Sequence, residues 1–192
     1  MKKLMTLAAS ALLLAACGST KDSTPPTLDT ATAINTYLEG KAWKMAGADI
    51  PSHPNGFNED VNYGAYTQCY ADTTITVGSG VWHVVSHTAT LAGTPTACDH
   101  VSAATATFDS STVLVENVAG NGTCFDVTVT YTGFSQAGRA AFSADGRTLQ
   151  MELFFGSQAT HHRCADGLPG ATGVVLNGAA FTGTAVQTYR LQ

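Results

Sequence analysis

Apolar and polar side chains alternate without a break from Phe125 to Thr132, within a longer segment that runs from Cys124 to Phe134. Because successive side chains of an extended strand point to opposite faces, this period of two predicts a strand with one buried face. A strand of this kind is stable only when further strands cover its apolar face. The alternation therefore predicts a domain built from β-sheet.

A turn signal at Asp145-Gly146 supports this fold class. It separates two predicted strands, Gly138 to Ser143 and Arg147 to Phe155. Asp-Gly is favoured in two-residue hairpin turns because these turns need a left-handed backbone that glycine adopts without strain. The two segments are therefore expected to pair as an antiparallel hairpin.

The rest of the chain continues the series of short strands. The further predicted strands are Lys41 to Ala46, Tyr66 to Tyr70, Thr73 to Val77, Val81 to Leu91, Ala104 to Phe108, Thr112 to Val118 and Ala180 to Leu191. Two long loops, Asp49 to Gly64 and Gly156 to Gly173, interrupt them, and a short helix capped by Asp29 precedes them. We expect an all-β antiparallel barrel or sandwich of about nine to ten strands with one short N-terminal helix.

The N-terminus has the composition of an export signal. Lys2 and Lys3 precede an apolar run from Leu4 to Ala16. This run is shorter than the roughly 20 apolar residues of a membrane-spanning helix, so residues 1–16 are predicted to be a cleaved signal peptide. The end of the run, Leu14-Ala15-Ala16-Cys17, resembles the lipobox of bacterial lipoproteins.

This resemblance implies a lipid anchor on Cys17. In bacterial lipoproteins the cysteine thiol carries diacylglycerol, the signal is cut before it, and the new amine is commonly acylated, for example by palmitate. Gly18, rather than an aspartate, implies the outer membrane in a cell that has two membranes. Residues 17–27 are then a lipidated N-terminus and polar tether, and residues 28–192 are a single β domain whose membrane partner is reached through the lipid.

Net charge argues against nucleic acid as a partner. The full chain carries 9 Lys and Arg against 14 Asp and Glu; without Lys2 and Lys3 the mature chain has 7 − 14 = −7. Nucleic acids and acidic membrane faces attract clustered basic residues, and here the basic residues are scattered.

Four cysteines remain after lipidation: Cys69, Cys98, Cys124 and Cys164. An even number in an exported chain predicts two disulfides, with three connectivities open. A meander of strands favours Cys98 with Cys124 and Cys69 with Cys164. The alternative, a nucleophilic cysteine beside His161 and His162, is less favoured because export compartments oxidise free thiols.

A second, partial resemblance concerns the segment Gly40-Lys41-Ala42-Trp43. It is similar to the start of lipocalins, where a short helix precedes a Gly-x-Trp motif, although the spacing here is Gly-x-x-Trp. The resemblance implies that Trp43 packs under an arginine near the last strand, for which Arg190 is the match. It also implies that the interior of the barrel holds a small apolar ligand. The alternative is a core tryptophan with an unrelated surface arginine.

Other motifs fall short of their templates. The loop Asn58 to Asn62 has calcium-type oxygens but departs from the EF-hand spacing. The adjacent His161 and His162 point apart if extended, while His83 and His87 lie about 13 Å apart on one predicted strand, too far to share an ion. The other two histidines are His53 and His100.

Two short motifs are interpreted as turns. Ser135 nearly matches the hydrolase elbow but lacks the helix that should follow it, and Asn121-Gly122-Thr123 matches a glycosylation sequon at a predicted hairpin turn. No catalytic residue, metal site or cofactor is predicted.

Three hypotheses follow. The first is a non-enzymatic envelope lipoprotein that mediates binding or adhesion, and the second is a lipocalin-like carrier of a small apolar ligand. The third is a hydrolytic enzyme whose site is assembled where the two long loops meet. The loop residues considered for it are His53, Glu59, Asp60, His161 and His162.

Overall fold

The chain folds into a closed antiparallel barrel of eight strands. This computed structural model describes residues 25–51, 69–91, 98–155, 159–181 and 185–192. The barrel strands are β1 (Ala42–Ala46), β2 (Cys69–Gly78), β3 (Val81–Leu91), β4 (Cys98–Ala119), β5 (Cys124–Tyr131), β6 (Phe134–Phe142), β7 (Thr148–Phe155) and β11 (Val186–Leu191). Each strand pairs with its neighbour along the chain, and β11 closes the barrel by pairing with both β7 and β1. The all-β prediction is confirmed, and of its two forms the barrel is the one observed.

Three short strands form a separate small sheet. They are β8 (Ala159–Thr160), β9 (Val175–Leu176) and β10 (Ala179–Ala180). Single 3-10 turns lie at 47–49, 120–122 and 164–166. We refer to residues 159–181 as the outer segment, because its contacts are with the outward side of β5, β6 and β7.

The barrel interior is lined by the inward side chains that the alternation predicts. Phe125, Val127 and Val129 of β5 are fully buried, as are Leu149 and Met151 of β7. The cluster that they form also contains Trp43, Met45, Ile75, Val77, Trp82, Val84, Val115, Ala140, Phe142, Leu153 and Tyr189. Burial of this many apolar side chains is the main force that holds the barrel closed.

Helix α1 (Ala31–Leu38) closes one end of the barrel, which we call the helix end. Its buried residues, Ile34 and Leu38, belong to the same core cluster as the barrel interior. The predicted cap, Asp29, is wrong by one residue: the hydroxyl of Thr30 accepts the hydrogen bond from the backbone N–H of Ala33. Thr30 lies immediately before the first helical residue, and from there its side chain reaches the free N–H groups of the first turn.

Two expected breaks between predicted strands are continuous strand in the structure. β4 runs through the expected turn between Phe108 and Thr112, where the pairing with β5 only shifts its register. Asp and Ser favour turns, but Ser110 is buried here and its hydroxyl accepts a hydrogen bond from the backbone N–H of Trp82, which holds β4 against β3. β2 likewise continues through Tyr70 to Asp72 with a register shift.

Where the chain enters the barrel, residues Pro26 to Leu28 are held between two hairpin turns at the helix end. The Asn121 side chain accepts a hydrogen bond from the N–H of Leu28 and donates one of 3.2 Å to the carbonyl of Pro26. Leu28 is buried in the core, and the Pro26 ring packs against Gly146 so closely that a Cβ there would lie 2.6 Å from it. We call this arrangement the N-terminal clasp.

Candidate functional site

Four aromatic rings lie together at the end of the barrel opposite α1. They belong to Phe108, Tyr131, Phe134 and Phe155, and we call this cluster the aromatic end. Tyr131 and Phe134 flank the β5–β6 turn and stack with ring centroids 4.7 Å apart. Phe108 contacts both rings, edge to face, at 6.1 and 5.7 Å, and Phe155 lies 5.7 Å from Phe134.

All four side chains belong to the inward face of the barrel. Tyr131 continues the buried series of β5, and Phe155 continues that of β7. Phe108 is paired directly with the buried Val84 of β3, and directly opposed residues point to the same side of a sheet. The inward faces of β5, β6 and β7 therefore end in aromatic rings, and Phe108 of β4 joins them.

Phe108 is 40% exposed, although it belongs to this inward cluster. Leu114, on the same strand, is exposed to a similar degree (47%), but its neighbours Val113 and Val115 face the core, so Leu114 points outward. A single exposed side chain such as Leu114 is ordinary, and Phe108 differs from it because contacts to other rings hold its exposed ring in place.

Polar side chains adjoin the rings inside the barrel. Thr73 of β2 and Ser86 of β3 are buried and form a hydroxyl hydrogen bond of 2.9 Å. Ser86 lies two residues beyond Val84, the partner of Phe108. A paired hydroxyl of this kind can exchange its hydrogen bond with a polar group of a bound molecule at small cost.

The outer segment is fastened to the barrel by a buried charge. Arg139 of β6 is fully buried; its Nε and Nη2 both lie 2.7 Å from one carboxylate oxygen of Glu152 on β7. Its Nη1 donates to the carbonyls of Gly167 (2.9 Å) and Arg163 (3.3 Å) in the outer segment. On the other side of Arg139, the opposing Asp126 of β5 accepts a hydrogen bond of 2.8 Å from the N–H of Cys164.

A disulfide joins Cys124 to Cys164 and fastens the outer segment covalently to β5. The favoured pairing, Cys98 with Cys124 and Cys69 with Cys164, is therefore wrong. That pairing followed from the order of the strands, whereas the outer segment folds back over the barrel wall and brings Cys164 beside the start of β5. The side chains of Cys69 and Cys98 lie outside the described residues.

His161 and His162 have different environments, both in the outer segment. His161 is exposed, whereas His162 is buried and contacts the Phe154 ring edge to face at 5.7 Å. Burial lowers the pKa of His162, and the nearby charges of Arg163 and Arg139 lower it further. The partners proposed for a loop-built hydrolytic site, His53, Glu59 and Asp60, lie outside the described residues, so that hypothesis stays a prediction.

The two strand histidines bind different carboxylates on the outer wall. His83 lies 2.6 Å from Asp109, and His87 lies 2.6 Å from Asp72, which also pairs with Lys44 at 3.2 Å. The hydrogen bond from His87 is the largest cause of a lowered pKa at Asp72. Within the described ranges, no group of three or more His, Cys, Asp or Glu side chains is placed to hold a metal ion.

Arg190 does not cover Trp43, although the lipocalin resemblance implies that it should. Trp43 is fully buried inside the barrel, while Arg190 is on the outer face, opposite Lys44 of β1. Arg190 forms two hydrogen bonds to Asp49, of 2.8 and 3.0 Å, which hold the pKa of Asp49 below its ordinary value. The indole Nε1 of Trp43 is buried and has no hydrogen-bond partner among the described residues.

The two short motifs have structural roles. Asn121 lies in the turn between β4 and β5 with a left-handed backbone (φ 52°), as predicted for a turn, and its side chain forms the N-terminal clasp. Ser135 is not in a turn: it is the second residue of β6, opposite Thr130.

Several predicted positions lie outside the described residues. They are the signal peptide, the lipobox with Cys17, the loop Asn58 to Asn62, and His53. For His100 the structure gives the backbone of β4 but no side-chain environment. Among the described residues, no helix has the length and apolar content needed to cross a membrane.

Comparison of the chain with models of protein families, with curated proteins and with solved structures finds no match.

Sequence reasoning missed both the aromatic end and the Arg139–Glu152 pair. The aromatic end has a signal in the sequence, namely aromatic residues such as Tyr131 and Phe134 where two predicted strands adjoin. The Arg139–Glu152 pair can be predicted only from the register of β6 against β7, which places Arg139 directly opposite Glu152. Periodicity alone does not give that register.

Proposed function

We propose that this chain is an outer-membrane lipoprotein, anchored through Cys17, whose non-enzymatic barrel binds an apolar group at the aromatic end. The lipobox and the polar tether support the anchoring. The observation that carries the binding role is Phe108, an exposed ring held in place by contacts to the rings of Tyr131 and Phe134.

The cluster is suited to binding because its rings are ordered before a ligand arrives. Full burial of a phenylalanine is worth about 1.5–3 kcal/mol, so covering the exposed part of Phe108 contributes about 1 kcal/mol. Aromatic pairs add about 0.5–1.5 kcal/mol beyond the buried area when a flat group stacks on them. Since Tyr131 and Phe134 already stack on each other, little side-chain entropy is lost on binding.

A fluorescent apolar probe tests this proposal. N-phenyl-1-naphthylamine is titrated into the domain lacking residues 1–17, and into its Phe108→Ser and Leu114→Ser variants. Both substitutions remove an exposed apolar side chain from β4, but only Phe108 belongs to the aromatic end. We expect about tenfold weaker probe binding for Phe108→Ser, which corresponds to about 1.4 kcal/mol, and unchanged binding for Leu114→Ser.

Circular dichroism and thermal melting confirm that both variants fold. Equal affinity of the three proteins for the probe, or a loss shared by both variants, would contradict binding at the aromatic end.

The anchor is tested separately in cells. The full chain should partition into the detergent phase, and Cys17→Ser should move it to the aqueous phase, because serine has no thiol to carry the diacylglycerol that anchors the chain. Unchanged partitioning of the variant would contradict lipid attachment at Cys17.

A second candidate function, a carrier of a small apolar ligand inside the barrel, is favoured by Trp43. An eight-stranded barrel is wide enough either to be filled by side chains or to hold one small ligand. The buried Nε1 of Trp43 has no acceptor among the described residues, and a ligand with an acceptor oxygen would supply one. Mass spectrometry of molecules released from the purified domain tests this: a carrier should release one defined compound, and Trp43→Phe should reduce its yield.

A further inference from the structure

The N-terminal clasp fixes where the tether meets the barrel. Asn121 and Gly146, which hold Pro26 and Leu28, belong to the β4–β5 and β6–β7 turns. Both turns lie at the helix end, since the hydroxyl of Tyr37 in α1 donates a hydrogen bond of 3.2 Å to the carbonyl of Gly146. The aromatic end adjoins the β5–β6 turn, at the other end of the same strands.

The length of chain between the anchor and the clasp is short. From Cys17 to the first described residue, Pro25, there are eight residue steps, with a maximal reach of about 26–29 Å. A strand of eight residues tilted by about 40° spans about 20 Å along the barrel axis.

If the barrel were inverted, with its aromatic end against the bilayer, the tether would have to run back along the whole barrel wall. That path uses about 20 Å of the reach, which exceeds the roughly 14–17 Å mean end-to-end distance of a random coil of eight residues, so chain entropy disfavours the inverted orientation. The orientation with the helix end nearest the membrane needs no such span.

We infer that the aromatic end faces away from the anchoring membrane and takes apolar molecules from the aqueous side, not lipids from the bilayer in which Cys17 is inserted. This inference rests on the proposed lipid anchor and the proposed binding role. It identifies the ligand class as apolar or amphipathic molecules that exist singly in water.

Energy transfer to the bilayer tests the orientation. The lipidated mature protein is reconstituted in phosphatidylcholine–phosphatidylglycerol vesicles that carry an acceptor dye on a fraction of the headgroups. A donor dye is attached through p-azidophenylalanine at Thr36, exposed on α1, or at Thr132, exposed in the β5–β6 turn. The two sites are matched, since each replaces an exposed threonine, one at each end of the barrel.

Transfer should be clearly more efficient from position 36 than from position 132. The Asn121→Gly variant, which loses both clasp hydrogen bonds but keeps a residue suited to the left-handed backbone, should reduce that difference. Equal transfer from the two positions, or stronger transfer from 132, would overturn the inferred orientation while leaving the anchor intact.

Failure of the lipidated protein to bind the vesicles at all would instead overturn the proposed anchor, and the orientation with it. Cys17→Ser, added to the same vesicles, gives the baseline without attachment.

Discussion

Replacing Arg139 by Met should destabilise the domain far more than the loss of a surface charge. Arg139 is fully buried, and its partner Glu152 is 2% exposed. The substitution leaves Glu152 buried, and among the described residues its carboxylate then keeps one hydrogen bond, of 3.4 Å, from the N–H of Gly170. Breaking a buried ion pair from one side costs about 3–5 kcal/mol, because the other charge stays desolvated.

The outer segment contributes to the same loss. The carbonyl of Gly167 loses its donor, while the carbonyl of Arg163 keeps the hydrogen bond from the N–H of Asp166. The disulfide still keeps the segment attached to β5. We therefore expect the free energy of unfolding to fall by about 4 kcal/mol. With a slope of about 2 kcal/mol per M, the urea midpoint should fall by about 2 M.

Urea unfolding of the domain lacking residues 1–17, followed by tryptophan fluorescence, measures this shift. Lys44→Met is the matched control, since it breaks the half-exposed pair with Asp72 and should cost about 0–1 kcal/mol. The double variant Arg139→Met/Glu152→Met removes both charges and should recover about half of the loss. If Arg139→Met proves no less stable than Lys44→Met, the Arg139–Glu152 pair does not fasten the outer segment.

Three further outcomes are expected. Cys124→Ser opens a closed loop of 40 residues and should therefore lower the free energy of unfolding by about 4 kcal/mol. Peptide mapping of the unsubstituted protein without reductant should recover Cys124 linked to Cys164, and a Cys98–Cys124 peptide would contradict the structure. Asn121→Gly should cost about 1–2 kcal/mol in urea unfolding and speed proteolysis near Leu28, and unchanged cleavage would argue against the clasp. Burial lowers the pKa of His162, so as the pH falls the unfolded chain binds a proton at this residue before the folded chain does. The free energy of unfolding should therefore fall as the pH drops below about 6.5. His162→Asn should remove this part of the pH dependence, which unfolding at pH 7.5 and 5.5 measures.

Much of the fold is predictable because it depends on local rules. The predicted strand Val81 to Leu91 has the bounds of β3, and the Asp145-Gly146 turn is confirmed between β6 and β7. The inward faces of β5 and β7 follow the alternation residue by residue. Strand periodicity and hairpin turns both operate within about ten residues, which sequence reading covers well.

The predictions from the sequence are wrong where contacts between residues far apart in the chain determine the structure. Asp109-Ser110-Ser111 has turn composition, but the hydrogen bond from Trp82 to Ser110 keeps β4 extended. Arg190 matches a position in the lipocalin pattern, but its face on β11 is set by pairing with β1, which the motif does not encode. The disulfide depends on how the outer segment folds back over the barrel.

The candidate site was less predictable than the fold for the same reason. Phe134 follows Phe108 by 26 residues in the sequence. The two rings meet because β4 pairs with β5, and β5 with β6, in one particular register. Shifting one strand by a single residue would turn its aromatic side chains outward.

Closure of the barrel by β11 has a consequence for how the chain acquires its structure. The first strand, β1, has one neighbour close along the chain and the other at residues 186–191, so the seam joins the earliest and latest parts of the fold. Because the chain is synthesised from its N-terminus, the edges of β1 and β7 stay unpaired until that final strand has emerged. During this interval the unpaired edges are open to association with other chains, so the speed at which residues 186–191 pair sets how long this hazard lasts.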